Sequence, residues 1–494
     1  MHKNQTIEEI QNFEGKYPKQ LWYLFMSEMW ERFCFYGMRG MLAVFLVKEL
    51  LMKEDVANLQ YGATQAFVYA FTFIGGLFAD KILGLRKSLF WGGLLMITGS
   101  VILSIDPKEF FFLGISFSII GTGFFKPNIS SMVGSLYKDG DHRRDAGFYI
   151  FYSGINIGAL LGGYICIWLG KNYSWNLAFG MAAIVMTISL LTFVFTQRTL
   201  GPIGLRPLHR FKNLKRSQLY EYLVYAGSLI TIPLIMIMVS KTEFTDWFMY
   251  IIGPCSLVYI YIESKKYNSS ERKKILAGMI FIFISIFFWA FYEQSGGSLS
   301  IFAANNLNDH VLGIKLDPNG VNNASNALFV IIFAPLTGLV WLWMAKRKME
   351  PNTVTKFGLG FLILGLAFFI FYATRFFANA EGITSLDVFT LAYFVITFGE
   401  LCLSPISLSI ITKLSPAPMQ GVMMGMLFLA SAYGQYAAGI LGAGMTSPKE
   451  NASLMDKLFS YTDGYLHLGI YALVFVVLLI VLSPLIRRLM QDVK

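Results

Sequence analysis

Residues 21–51 read LWYLFMSEMWERFCFYGMRGMLAVFLVKELL, an apolar stretch that is long enough to cross a lipid bilayer but contains charged residues. On an α-helix, Glu28, Glu31 and Arg32 stand at positions i, i+3 and i+4 and project from one face. A charge at mid-bilayer costs about 2.5–3.5 kcal/mol on insertion scales, so such residues face a bundle interior or a watered cavity. The stretch predicts a transmembrane helix that lines a substrate or ion pathway. A self-neutralising pair at the helix end is the alternative, which the depth of Glu28 in the apolar run disfavours.

The composition of the whole chain is that of a membrane protein. Of its 494 residues, 55% are hydrophobic and only 14% are charged, whereas a soluble domain has about 25% charged residues. Cutting the chain at its polar, basic and Pro/Gly-rich breaks leaves fourteen apolar segments of roughly 17–30 residues, the length that a bilayer requires. Lipid cannot satisfy backbone polar groups, so these segments must be helices. The sequence predicts an all-α integral membrane protein with fourteen transmembrane helices.

The net charge of +10 is distributed as in a protein of the cell inner membrane rather than as in a nucleic-acid-binding protein. Lysine and arginine crowd alternate loops, and the loops between them are poor in both residues. The basic loops lie at 81–87, 138–144, 198–216, 265–274, 346–356 and 487–488. This positive-inside pattern predicts that both termini are cytoplasmic. Residues 198–216 are expected to touch anionic lipid headgroups as well.

Neither metal nor cofactor chemistry is predicted. The four cysteines lie in apolar segments without a CxxC pair, which indicates packing roles: Cys34, Cys166, Cys255 and Cys402. The five histidines lack ligand spacing, and no GxSxG, HExxH or Walker pattern occurs in a supporting context. We therefore predict that the protein is not an enzyme and that any pumping draws on an ion gradient.

The order of apolar and polar segments predicts five regions. They are a cytoplasmic N-terminal segment at 1–20, a six-helix bundle at 21–197, a basic cytoplasmic linker at 198–218, an inserted helical hairpin at 219–262, and a second six-helix bundle at 263–490. No signal peptide is evident in the first region, so the first helix is expected to direct insertion. Two six-helix halves suit a transporter in which one half rocks against the other.

Four more ionisable residues lie deep in predicted helices: Arg39, Lys126, Glu293 and Glu400. Pro127 is expected to interrupt the helix beside Lys126 and to free backbone groups that line a cavity. A snorkelling lysine is the alternative for Lys126, and an interfacial carboxylate is the alternative for Glu293. Together with Glu28, Glu31 and Arg32, these residues make a set of four acidic and three basic side chains. We expect them to pair with one another and to leave about one excess negative charge that could hold a proton.

Residues 75–87, GGLFADKILGLRK, resemble the Gly-x-x-x-Asp-Arg/Lys-x-x-Gly-x-Arg/Lys loop of the major facilitator superfamily. An ordinary charged short loop is the alternative. Three further motifs resemble signatures of one family within that superfamily, the proton-dependent oligopeptide transporters. They are EMWERFCFYG at 28–37, FFKPN at 124–128 and FYSGINIG at 151–158. Glu293 and Glu400 stand in matching contexts of the seventh and tenth helices.

The resemblance implies proton-coupled symport of di- and tripeptides into the cell, without a cofactor and without an obligate protein partner. A peptide is a zwitterion, and charge-assisted bonds at both ends give affinity that does not depend on side chains. Arg32 and Lys126 would bind its carboxylate. Asn156, Asn326 and Glu400 would bind its ammonium group.

The remaining roles also follow from the resemblance. Proton coupling would involve Glu28, Glu31, Arg32 and Glu293. A gate salt bridge would join Arg39 to Glu293, and protonation of Glu293 would release it. Four aromatic residues would form pocket walls, with ordinary packing as the alternative for each: Tyr36, Tyr69, Trp289 and Phe428.

Three positions depart from the family pattern and put side-chain preference in doubt. Phe35 replaces the first of two paired tyrosines, Leu427 stands where many members have Trp, and Ala327 follows Asn326 where Pro is usual.

Two other functions stay open. One is a proton-coupled carrier of a non-peptide solute, such as an organic anion or a peptide-like drug. The other is a membrane enzyme or sensor.

Overall fold

The computed structural model describes residues 6–138, 141, 143–207, 214–416, 419–447, 449, 452–491 and 493. This part of the chain is almost entirely helical, which confirms the predicted all-α membrane class. The short α1 (Ile7–Gln11) precedes seven long helices: α2 (Lys19–Lys48), α3 (Glu54–Phe78), α4 (Leu85–Ile105), α5 (Phe111–Ser135), α6 (Arg143–Asn172), α7 (Trp175–Thr196) and α8 (Leu214–Ser240).

The second part of the chain continues the same pattern. Its helices are α9 (Thr242–Ser264), α10 (Ser269–Tyr292), the short α11 (Ser298–Asn306), α12 (Pro318–Lys346), α13 (Thr353–Ala373), α14 (Leu386–Leu414), α15 (Gln420–Gly444) and α16 (Leu454–Met490). The only strands among the described residues are β1 (His310–Val311) and β2 (Ile314–Lys315), an antiparallel pair. The turn between them runs through Leu312 and Gly313, both at positive φ, as tight hairpin turns require.

Eleven helices of the described chain are long and apolar enough to cross a membrane. The other three long helices, α2, α5 and α9, fall outside that group. The predicted total of fourteen crossings therefore stays a prediction, as does the cytoplasmic position of the termini.

The chain forms two compact units. One comprises residues 1–41 and 67–240, and the other comprises residues 42–66 and 241–494. The end of α2 and the start of α3 thus pack with the C-terminal helices, although the sequence assigns both to the first six-helix bundle. The five predicted regions are divided differently from these units, and their bounds stay predictions.

Close helix packing within the first unit depends on glycine. A side chain at Gly92 would meet the backbone of Gly121, and one at Gly99 would meet the carbonyl of Gly114, so α4 and α5 lie in direct backbone contact. Small residues at such contacts let helices approach in lipid, where packing rather than the hydrophobic effect drives association.

The prediction that Pro127 interrupts its helix is wrong. Helix α5 runs without a break through this position. Proline has no backbone N–H and cannot bond the carbonyl four residues earlier, which belongs to Gly123. That carbonyl faces Gly75 of α3, where a side chain would collide with it. The released group therefore marks a close contact between α3 and α5 rather than a break in α5.

Candidate functional site

The charged turn of α2 forms a buried ion triad. Arg32 Nε lies 3.0 Å from Glu28 Oε1 and 2.5 Å from Glu31 Oε2, and all three residues are at most 1% exposed. One guanidinium thus faces two carboxylates, so the turn has one excess negative charge when every group is ionised. Within the described part of the chain, Arg32 Nη2 has no hydrogen-bond partner. A buried donor of this kind is costly to leave unsatisfied, so it suits an anionic ligand or water.

Helix α6 holds this turn in place through small residues spaced four apart. A side chain at Gly158 would come within 2.8 Å of Arg32 Cβ, and one at Gly162 would meet the backbone of Phe33. Gly37 faces Cys166 at the next step along the same contact. The FYSGINIG motif therefore supplies part of the surface against which the charged face of α2 is fixed.

Lys126 of α5 is partly buried beside aromatic rings. Its ammonium group lies 4.6 Å from the centroid of the Tyr69 ring and 5.8 Å from that of Phe35. The guanidinium carbon of Arg32 lies 5.1 Å from the same Phe35 ring. Cations within about 6 Å of a ring centroid are attracted by the ring quadrupole. Phe35 therefore lies near both of the cations that are predicted to bind the peptide carboxylate, although its sequence position indicated only a departure from the paired tyrosines of the family.

The other predicted site residues of the first unit lie on α2 and α6. The Arg39 guanidinium is 5.8 Å from the centroid of the Tyr36 ring, and that ring packs edge-on against Phe35 at 5.2 Å. Asn156 is 7% exposed, and its Nδ2 donates to the carbonyl of Tyr152 at 3.0 Å. The structure thus brings most of the cationic and aromatic residues predicted for this unit together, around α2.

Glu400 of α14 is the centre of a second polar cluster, in the C-terminal unit. Its Oε2 accepts hydrogen bonds from the Tyr292 hydroxyl at 2.6 Å and from Asn326 Nδ2 at 2.9 Å. Asn326 Nδ2 also lies 3.2 Å from Thr397 Oγ1. The structure therefore brings together Asn326 and Glu400, two of the predicted ammonium ligands. Tyr292 was not predicted, although it precedes Glu293 and stands one turn after Trp289, both of which were.

Trp289 packs edge-on against Tyr292, with ring centroids 5.5 Å apart. Gly434 of α15 lies against Cβ of Trp289 and allows this close approach. Phe428 stands on the same helix and is partly buried. The predicted aromatic walls of the second unit are thus carried by α10 and α15.

Glu293 begins the short 3₁₀ turn Glu293–Gly296 that follows α10, and it is 4% exposed. The next residue, Gln294, donates to the carbonyl oxygens of Ala290 at 3.0 Å and Ala438 at 3.1 Å, which ties the turn to α15. Glu293 belongs to the second unit and Arg39 to the first, so their gate salt bridge stays a prediction. Asn156 and Glu400 also belong to different units, so their binding of one peptide ammonium group stays a prediction too.

Glu54 is the centre of a third cluster, which the sequence did not predict. Its Oε1 accepts from Lys457 Nζ at 2.6 Å and from Asn305 Nδ2 at 3.0 Å, and its Oε2 accepts from the Tyr461 hydroxyl at 2.6 Å. Lys48 Nζ donates to Asn305 Oδ1 at 2.8 Å. These contacts tie the hairpin between α2 and α3 to α11 and α16. We name the five residues the Glu54 lock.

Nothing in the described chain suggests a metal centre. Its histidine, cysteine and acidic side chains form no group of three that could hold an ion. Three of the four cysteines are buried thiols, and Cys255 is exposed.

Comparison with known proteins gives one consistent result. The model of the POT family matches residues 86–457. The uncharacterized transporter YclF of Bacillus subtilis is 33% identical over 97% of this chain and 96% of its own. The peptide transporter YePEPT of Yersinia enterocolitica is 31% identical over 97% and 96%. A mutant of peptide transporter POT in complex with alafosfalin superposes with a TM-score of 0.84 at 31% identity, over 99% of this chain and 100% of that one.

Proposed function

Because the chain belongs to the POT family, the proton-dependent oligopeptide transporters of the major facilitator superfamily, we propose that it carries di- and tripeptides into the cell together with protons by alternating access. The observation that carries the proposal is the presence of two clusters of opposite character. Arg32 and Lys126 both lie within about 6 Å of the centroid of the Phe35 ring in the first unit, and Glu400 accepts from two donors in the second. A zwitterionic peptide has one group for each cluster.

The proposed binding roles follow from this chemistry. Arg32 and Lys126 take the peptide carboxylate, and charge-assisted bonds make that contact stronger than a neutral one. Glu400 takes the ammonium group together with Asn326 and Asn156. Tyr36, Tyr69, Trp289 and Phe428 line the pockets for peptide side chains. The similarity to the peptide transporter YePEPT and to the alafosfalin complex supports a peptide or peptide-like substrate.

Proton coupling is proposed to use the ion triad and the gate. Addition of a proton to Glu28 or Glu31 neutralises the excess charge beside Arg32, which frees the guanidinium for a peptide carboxylate. Addition of a proton to Glu293 weakens its salt bridge to Arg39 and lets the outer side open. We propose that the proton gradient alone supplies the energy and that no cofactor takes part. Each charge that moves through the membrane potential gains about 2.3 kcal/mol per 100 mV.

The protein is a multi-span membrane transporter, and we place it in the cell inner membrane with both termini in the cytoplasm. Its proposed partners are peptides, protons and bilayer lipids. Nucleic acid, an enzymatic reaction and an obligate protein partner have no place in this function.

We expect labelled dialanine to accumulate in proteoliposomes that contain the protein when the outside is acidic and the interior is negative. A proton gradient drives the movement, so a protonophore should abolish accumulation and leave only equilibration. Accumulation that persists after the protonophore would contradict proton coupling. Uptake of an organic anion without any uptake of dipeptide would instead support a non-peptide carrier.

Glu54→Gln should weaken the contacts by which the Glu54 lock joins the hairpin between α2 and α3 to α11 and α16. Hydrogen bonds to a charged group contribute about 1.5–3 kcal/mol, so the population in which this contact is open should rise about tenfold or more. Ala57 is fully buried on α3, so a thiol at Ala57→Cys reports opening through its labelling by a membrane-impermeant maleimide. The assay uses a Cys255→Ser background, since Cys255 is the exposed native thiol.

Asp55→Asn is the matched control for this measurement, because it removes the same charge one residue away and outside the lock. Faster labelling with Glu54→Gln and unchanged labelling with Asp55→Asn is the expected pair of results. Equal labelling rates in both variants would show that the Glu54 lock does not hold the hairpin between α2 and α3 to α11 and α16.

A further inference from the structure

Helix α8, the first helix of the predicted inserted hairpin, has one buried face that is polar over half its length. The buried positions recur at helical spacing: Ser217, Glu221, Val224, Ser228, Ile232, Ile235 and Val239. The opposite face is exposed, as at Tyr222, Leu223 and Ile230. A helix that only fills space beside a bundle has no need for a carboxylate on its packed face, since an unpaired charge there is strongly destabilising.

Glu221 binds two basic residues from different segments. Its Oε1 accepts from Lys87 Nζ at 2.6 Å, and its Oε2 pairs with Arg206 Nη2. The Tyr225 hydroxyl donates to the same carboxylate at 2.9 Å. Arg206 Nη1 also donates to Ser217 Oγ at 3.1 Å, one turn earlier on α8. The carboxylate side chain is only 9% exposed, so these partners replace water almost completely.

A second contact fixes α8 to α4 further along the helix. Trp91 Nε1 donates to Ser228 Oγ at 3.0 Å, and the Trp91 ring lies 4.6 Å from that of Tyr225. Lys87 and Trp91 are four residues apart on α4, and Glu221, Tyr225 and Ser228 follow one stripe of α8. The contact therefore involves about one turn of α4 and about two turns of α8, through polar and aromatic groups.

The residues that Glu221 binds lie at the end of the loop between α3 and α4: Lys87 is in the first turn of α4, and a side chain at Gly84 would meet the backbone of Arg206. This loop contains the π-helical turn Ala79–Leu83 and Gly84 at φ 79°. The basic linker is hydrogen-bonded to the start of α4. Arg86 N donates to the Gly204 carbonyl at 3.0 Å, and Arg86 Nη2 donates to that of Gly201 at 2.5 Å. Glu221 thus joins the start of α4, the linker and α8.

The second helix of the hairpin, α9, is anchored elsewhere. Asp246 Oδ1 accepts from the Tyr436 hydroxyl of α15 at 2.6 Å, and the Met249 carbonyl accepts from Tyr433 of the same helix. Only Lys241 separates α8 from α9 in the chain. Each helix of the predicted hairpin therefore makes its polar contacts in a different compact unit.

We propose that Glu221 is a positioning residue for transport, which couples the α3–α4 loop to the inserted hairpin through Lys87 and Arg206. This inference rests on the proposed function, in which the two halves change their arrangement during each cycle. Glu221 fixes the start of α4 and the linker to α8, so its contacts bear on how these segments move during that change. Release of the loop from α8 slows the conformational step and leaves the peptide-binding residues, which lie on other helices, unaltered.

The test is Glu221→Gln in the full-length protein, with Glu263→Gln as matched control. Gln keeps the size of the side chain and removes its charge, and Glu263 is a partly exposed carboxylate of α9 that pairs only with Lys266 in the described contacts. We expect peptide turnover per folded transporter to fall about tenfold, within the range known for residues that modulate coupling. The dissociation constant for dialanine should stay within about twofold of that of the unaltered protein, and hydrogen exchange of residues 79–87 should become faster.

A role limited to folding would lower the yield and thermal stability of Glu221→Gln while turnover per folded molecule and loop exchange stayed normal, and that result would overturn the proposal. Trp91→Phe supplies a second variant in case Glu221→Gln does not fold, since it removes the bond to Ser228, keeps an aromatic ring beside Tyr225, and should raise loop exchange in the same direction. Unchanged exchange in both variants would also overturn the proposal. The exchange measurement needs no peptide. It therefore tests the contact of Glu221 with the α3–α4 region separately from the proposal that the protein transports peptides.

Discussion

Glu400→Gln is expected to lower affinity for peptides with a free N-terminus by about a hundredfold, because loss of one partner of a buried charge pair costs about 2–5 kcal/mol. The local structure should survive, since the Gln carbonyl can still accept from Tyr292 and Asn326, which both donate to Oε2 of Glu400. The substitution therefore removes charge with little change in shape. Isothermal titration of dialanine into the purified protein measures the effect.

The matched control is a peptide rather than a second variant. N-acetyl-dialanine has no ammonium group and should lose little affinity when Glu400 is replaced. Equal losses for both peptides would remove Glu400 from ammonium binding. Asn326→Ala should give a smaller loss for dialanine, because it removes a neutral hydrogen-bonding group.

The cluster around Glu400 illustrates what sequence can and cannot predict about this site. A carboxylate in the middle of a membrane helix is costly in lipid, so the sequence alone marks Glu400 as a candidate functional residue. The family resemblance predicts Asn326 as a second ligand of the ammonium group. Tyr292 was missed because a tyrosine at a membrane helix end is ordinary, and only its distance to Glu400 shows that it is a ligand of the carboxylate. In the same way, the sequence indicated only that Phe35 puts side-chain preference in doubt, whereas the structure places its ring near both Arg32 and Lys126.

Glu293→Gln should abolish concentrative uptake driven by the proton gradient and spare peptide counterflow. Gln resembles the protonated acid, so the predicted salt bridge to Arg39 is permanently weakened and can no longer respond to protons. Counterflow needs only binding and rocking, both of which remain. Glu293 is buried at the junction of α10 and a 3₁₀ turn that Gln294 ties to α15, so the exchange should alter charge more than structure.

The two transport modes are measured in the same proteoliposomes, with and without an imposed gradient. Asp309→Asn serves as control, since Asp309 is an exposed carboxylate beside His310 and Lys315. A dispensable interfacial carboxylate would behave like this control. Retention of concentrative uptake by Glu293→Gln would therefore argue against the gate.

The features that sequence did not predict are those made by residues far apart in the chain. The spacing of Glu28, Glu31 and Arg32 was readable because helix periodicity alone places them on one face. Glu54 and Lys457 have no such relation, so the Glu54 lock was found only from contacts. Pro127 was misjudged because a missing hydrogen bond can be accommodated at a close helix contact as well as at a break.

The inserted hairpin was also read only in part. The middle of each of its two predicted segments contains no ionisable residue, and the carboxylates Glu221 and Asp246 lie near the ends of their helices, where charge is unremarkable in sequence. Their partners Lys87, Arg206 and Tyr436 belong to other segments. Local sequence therefore predicts that a hairpin is inserted here, whereas its contacts with other segments can be seen only in the structure.

Peptide-driven proton entry tests the central claim most directly. Proteoliposomes loaded with a pH-sensitive dye and clamped at zero membrane potential receive external dialanine at equal pH on both sides. Symport predicts that the lumen acidifies in proportion to peptide uptake, and that Glu400→Gln reduces both together. Entry of labelled dialanine without any change in luminal pH would contradict the account.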